Sequence, residues 1–167
     1  MALIPSLNPR IIEALHIDAL ILADQVRACF ELLRRQTSAD RATSARDDAP
    51  DLNEDLARVH LSCEALRATT RVMHCLAWLL NHRAFFAGEL SELQLRRHGR
   101  LIANFPVSDH IILADLPLEA QACIHQSEQL YARIQRLERS WRGSSDPSQS
   151  AVQRLRERLA TEISKLH

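Results

Sequence analysis

The chain is poor in the residues that sheets consume. Its 167 residues include only three glycines and 4% aromatics, whereas β-turns use glycine and pleated faces favour aromatic side chains. That scarcity points to an all-α protein. Charge of one sign is missing too: acidic and basic residues balance at 21 each, so no net field draws the chain onto nucleic acid or anionic lipid. Lys165 is the sole lysine, and the arginine bias that results is what a GC-rich genome produces without any functional cause. No segment approaches the ~18 uninterrupted apolar residues of a membrane span. The opening residues, MALIPSLNPR, lack the basic region and apolar run of a signal peptide. The expectation is a soluble cytoplasmic protein with neither nucleic acid nor membrane as partner.

Catalytic signatures are equally scarce. The chain has no GxSxG, no glycine-rich phosphate loop and no glycine to spare for a tight active-site turn, so neither a catalytic residue nor a cofactor is expected. Four cysteines occur without a CxxC pair. Cys29, Cys63 and Cys123 each fall on an apolar seam, which reads as reduced core thiols and not as a disulfide framework or zinc site. His60, Cys63 and Glu64 stand at metal-ligand spacing on one helix, but Arg67 and Arg71 place positive charge beside them. Glu13 to His16 is a lone ExxH, and a di-iron bundle needs two. No metal site is expected, and a metal- or ligand-binding bundle is kept only as an alternative.

What the chain does have is apolar material, 46% of residues, arranged with helical period. This suits one compact domain, a bundle over residues 1–142, followed by a linker and a short helix over 143–167. The stretch from Asp51 to Gly88 organises the rest. Leu56, Val59, Cys63, Leu66, Thr70, Met73, Ala77, Leu80 and Ala84 alternate steps of three and four, a heptad seam on one long helix. A second apolar set, Leu61, Ala65, Ala68, Val72, Cys75 and Leu79, lies about 150° away at the helical ~100° per residue. The central helix therefore asks for partners on two faces. The first seam is assigned to the bundle, and Leu61, Ala65, Ala68, Val72 and Leu79 to a symmetric dimer face. The C-terminal helix is the alternative cover.

Two further helices carry the same period. Asn8 caps one, with Pro9 in its first turn, and its seam runs Ile12, Leu15, Ala19, Leu22, Val26, Cys29 and Leu33. Residues 37–50 lack periodicity and bulky apolar side chains and read as a linker. Gly88 is a natural stop for the central helix. Ser91 to His98 reads as a short helix closed by Gly99, and residues 100–115 as an ordered connection or short extended stretch. The third seam is Leu116, Ala120, Cys123, Ser127, Leu130, Ile134, Leu137 and Trp141. Three such seams make an antiparallel three-helix bundle with shallow crossings. Arg133, Arg136, Arg139 and Arg142 recur on that last helix, a solvated face first and an anionic-partner patch second.

Partner-binding candidates follow from what remains. His60, Glu64, Arg67, Arg71, His74, Trp78 and Asn81 form a polar stripe between the two apolar sets of the central helix. Glu64, Arg67, Arg71, His74 and Trp78 offer charge-assisted donors and one large ring, the composition of an interface hot spot. Trp78 is either covered by the 100–115 connection or presented to a partner. Beyond the Gly143–Ser150 linker, Val152, Leu155, Leu159 and Ile163 form a narrow stripe suited to reversible docking in a groove.

The run LSCEALRATTRVMHCLAWLLNHRAFFAGEL, Leu61 to Leu90, followed by Leu116-Pro117 and by SEQLYARIQRLERSW, Ser127 to Trp141, resembles the alphaproteobacterial RcdA-like family, regulators of CtrA degradation. The resemblance covers about half the chain. It implies a dimeric three-helix bundle that serves as an adaptor for the ClpXP protease, linking the ClpX unfoldase and its regulators to cargo such as a cell-cycle response regulator. It brings no catalytic motif. A scaffold of cell-cycle or transcriptional regulation without a protease link is the alternative.

Overall fold

The computed structural model describes residues 8–44 and 52–144, and these contain five helices and no strand. They are α1 (Pro9–Ser44), α2 (Leu52–Phe86), α3 (Glu92–His98), α4 (His110–Ala114) and α5 (Leu118–Ser144). The three long helices form the bundle, and the class is all-α as expected.

Local chemistry sets most of the boundaries. Asn8 caps α1, its side-chain oxygen accepting from the Arg10 N–H at 2.9 Å. The helix then runs on to Ser44, so residues 37–44, assigned to a linker, are helical. No glycine or proline interrupts the chain before Pro50, and a lack of bulky apolar residues does not itself break a helix. Thr37 and Ser38 point their hydroxyls back to the Arg34 carbonyl at 3.0 and 2.8 Å, compatible with the helical path. Gly88 ends α2 with a positive φ of 78°, which lets the Glu89 N–H turn back to the Ala84 carbonyl at 2.9 Å. Ser91 and Gln94 build a capping box on α3. Gly99 closes it where a Cβ would meet the Leu95 carbonyl oxygen at 2.7 Å.

α1 runs antiparallel to α2, with Glu13 at its start paired to Arg83 near the end of α2 at 2.7 Å. α5 instead runs parallel to α2: Arg71 meets Ser127, and about three turns further along α2 His82 meets Trp141. The direction follows from the connection 87–117, which returns the chain along the bundle before α5 begins. The antiparallel expectation thus holds for α1 against its two neighbours and not for α2 against α5.

The seams read for α1 and α5 form the core. Ile12, Leu15, Ala19, Leu22, Val26 and Leu33 are buried on α1, and Leu116, Ala120, Ser127, Leu130, Ile134 and Trp141 on or just before α5. On α2 the assignment is reversed. Leu61, Ala68, Val72, Cys75 and Leu79 are buried against the other helices, with Ala65 half-buried beside them. The face assigned to a dimer is the core of the bundle.

Candidate docking face

The polar stripe of α2 also turns inward, and its side chains show why. Arg71 is 2% exposed. Its guanidinium donates to Ser127 Oγ at 2.7 Å and to the Pro106 carbonyl at 3.1 Å, lies 3.5 Å from Glu128 and sits over the Phe105 ring at 5.2 Å. Burial lowers its pKa from the ordinary arginine value, while Glu128 and Glu64 oppose that shift. An arginine so placed stays charged and pins the connection 100–108 and α5 to α2 at once. His74 abuts the edge of Phe105 with ring centres 5.6 Å apart. Glu64 is buried and accepts from Arg67 at 2.7 Å, which leaves Arg67 and His74 as the half-buried members of the candidate set.

Trp78 is 1% exposed. Its ring stacks on His82 at 3.7 Å, and His82 in turn meets Trp141 edge-on at 5.4 Å. His82 Nδ1 lies 2.8 Å from the Trp78 carbonyl, which can only accept, so Nδ1 carries the hydrogen. Burial then pushes the His82 pKa down to about 4, against the opposing pull of that backbone bond. Of the two readings left open for Trp78, cover by the chain is the correct one, and α5 supplies part of the lid. Glu64, Arg71 and Trp78 cannot form a docking surface in this fold, because each is already spent on internal contacts.

Carboxylates on α5 complete the attachment of the connection. Glu128 accepts from the Ser108 N–H at 3.2 Å, Glu138 accepts from the Leu101 N–H at 3.2 Å, and Tyr131 donates to the Ile102 carbonyl. Of the arginines read as a recurring face, Arg142 pairs with Glu138 at 2.6 Å and Arg139 donates to Gln135 at 2.9 Å. Arg133 and Arg136 are exposed beside a cleft between α1 and α5.

What remains open is the seam that sequence had placed inside. Leu56, Val59, Leu66, Met73 and Leu80 are all at least half exposed, Leu66 reaching 69%. Cys63 and Ala77 between them are exposed as well. From Val59 to Ala84 the stripe carries no charged residue and extends for roughly 37 Å at 1.5 Å per residue. Its exposed apolar area is on the order of 600 Å², at the top of the range for ordinary monomers and near the ~800 Å² a standard interface buries per partner. Sequence reasoning found this stripe and its period, and assigned it to the wrong environment.

The metal readings find no support in position. Cys63 is exposed while Glu64 points inward, Glu13 is spent on Arg83, and His16 is buried with Nδ1 3.4 Å from that same arginine. Among the described residues no group of three or more histidine, cysteine or acidic side chains converges to hold a metal, and no helix is long and apolar enough to cross a membrane. The C-terminal docking residues Val152, Leu155, Leu159 and Ile163 lie outside the described residues. Residues 4–163 match the model of a family described as protein of unknown function (DUF1465). No curated protein and no solved structure matches the chain.

Proposed function

We propose, from the premise that this chain belongs to the DUF1465 family, that it is a non-enzymatic adaptor in regulated cytoplasmic proteolysis. It would help deliver regulatory substrates, such as a cell-cycle response regulator, to the ClpXP protease. The observation that carries the reading is the outer stripe of α2: a rigid, uncharged, heptad-spaced face that no other described residue of the chain covers. A face of that length is suited to another helix, since alternating steps of three and four present knobs and holes along a shallow crossing. The RcdA-like resemblance of Leu61 to Leu90 and Ser127 to Trp141 supplies the protease link.

The same stripe is the dimer face we favour. Two copies related by a two-fold axis present the same apolar row to each other, and the absence of charged residues from the row itself removes the like-charge opposition that would forbid it. Cargo or the unfoldase's regulators would then bind the assembled dimer or compete for the stripe.

The test uses purified full-length protein as bait for ClpX and for proteins of a lysate, with bound proteins identified by mass spectrometry. Retention of the unfoldase, together with slower degradation of a bound regulator when the stripe carries Leu66→Glu, supports the adaptor role. Capture of regulatory proteins without unfoldase, and degradation indifferent to the protein, would favour a scaffold without a protease link.

A further inference from the structure

Arginine recurs along α5, yet its positions do not behave alike. Arg139 and Arg142 are engaged within the helix by Gln135 and Glu138. Arg133 and Arg136, one turn apart, are exposed and have no hydrogen-bond or ion-pair partner among the described residues. Both stand on one wall of a cleft of about 570 Å³ whose lining comes wholly from α1 and α5, so it is separate from the outer stripe of α2. Leu22 and Leu130, core residues of the two helices, close its floor, and Ile21 on the α1 wall is 53% exposed. Leu32, three helical turns beyond Ile21, is exposed on the same side of α1 and continues that apolar edge. The one other charge among the lining residues is Asp18, exposed on the α1 wall and likewise unpaired.

We propose that this cleft is a docking site for an acidic, amphipathic segment of a partner protein: an apolar side chain enters between Ile21 and Leu130 while two carboxylates meet Arg133 and Arg136. Charge complementarity selects the occupant. Two unopposed guanidinium forks on the order of 5–6 Å apart match carboxylates on one face of a short segment, through bidentate bonds that a lysine pair would not give. A nucleic-acid backbone asks for a longer row of cations and has nothing to place on an apolar floor. Asp18 sets the orientation, because it repels acid from the α1 wall. The carboxylates therefore lie along α5, and the apolar side chain turns toward α1. Three glutamines among the lining residues offer hydrogen bonds to the segment's backbone without adding charge.

The exposure of both arginines makes the electrostatic share of binding sensitive to salt. The inference needs only the α1–α5 pair and does not rest on the adaptor reading. Within that reading, it lets one copy hold an acidic client segment while its α2 stripe is occupied elsewhere.

The experiment pans a library of short random peptides on full-length protein and measures the affinity of the enriched peptides by fluorescence anisotropy. Those peptides are expected to carry two or more acidic residues beside a bulky apolar one. Their affinity should fall about tenfold or more for the Arg133→Glu/Arg136→Glu protein, and several-fold between about 50 and 300 mM salt. Arg133→Gln/Arg136→Gln should give an intermediate loss, and peptides with lysine in place of the acidic residues should regain affinity for the glutamate variant. Leu66→Glu, on the outer stripe, should bind as the parent does. A basic or uncharged consensus, no enrichment over bare resin, equal affinity for the double glutamate variant, or loss of binding in Leu66→Glu would each overturn the proposal. So would a change in sedimentation, or in melting temperature by more than a few degrees, in the peptide-free double variants, since residues 145–167 or a second copy would then already fill the cleft.

Discussion

Arg71 shows how one side chain can reverse a functional reading. On a helical wheel it belongs to a polar stripe ready for a partner, and alanine there would be expected to weaken binding and spare the fold. In place, it bonds Ser127 and the Pro106 carbonyl, faces Glu128 and is closed off by Phe105. Arg71→Ala should therefore destabilise the protein by about 3 kcal/mol, because it strands buried acceptors and a carboxylate together. A chemical-denaturation midpoint shift measures this, and hydrogen exchange should quicken across residues 100–108. Trp78→Ala should cost about as much again through the lost packing on His82.

His82 supplies a pH dependence with a definite sign. Its folded pKa, about 4, lies below the ordinary histidine value of 6.5, so the unfolded chain takes up a proton first as pH falls. Its contribution is fully present above about pH 6.5, is lost progressively toward pH 4 and levels off below it, for a total of roughly 3 kcal/mol. Nε2 is buried without a hydrogen-bond partner, which is why a second proton finds no acceptor there. Melting temperature followed from pH 7.5 to 4 should show this slope, and His82→Phe should flatten it.

At the scale of the element, α2 is one helix with two apolar faces of similar period, and only one can be the core. The inner face wins because Arg71 and His82, which flank it, find partners on α5 and the connection, and Trp78 stacks on His82 beneath them. The outer face has small or hydroxyl residues at Cys63, Thr70 and Ala77, and no element of the described chain lies over it. A single charge on it should separate association from stability. Met73→Glu and Leu66→Glu should each abolish self-association at micromolar concentration in sedimentation, while melting temperature moves by no more than a few degrees. Val72→Glu places the charge inside and should unfold the protein, at a cost of several kcal/mol.

For the whole molecule, the long return from α2 to α5 is the feature that sets the topology. Three α5 side chains, Glu128, Tyr131 and Glu138, take up polar groups of that return, so the connection is a structural layer and not a loose loop. Glu138→Ala removes the acceptor for the Leu101 N–H and the partner of Arg142 together. A loss of about 1–2 kcal/mol is expected, with hydrogen exchange at Leu101 faster than in the parent protein.

Sequence by itself determined the all-α class, the three long helices, the Asn8 cap, the Gly88 stop and the core stripes of α1 and α5. Each depends on neighbours within a turn or two: periodicity, a capping oxygen, a residue free to take positive φ. Sequence also identified both faces of α2, yet could not rank them. The ranking depends on Ser127, Glu128 and Trp141, residues far along the chain that the tertiary fold brings against Arg71 and His82. Burial of a charge is decided by whether its counter-charge arrives, and helical period holds no record of that arrival.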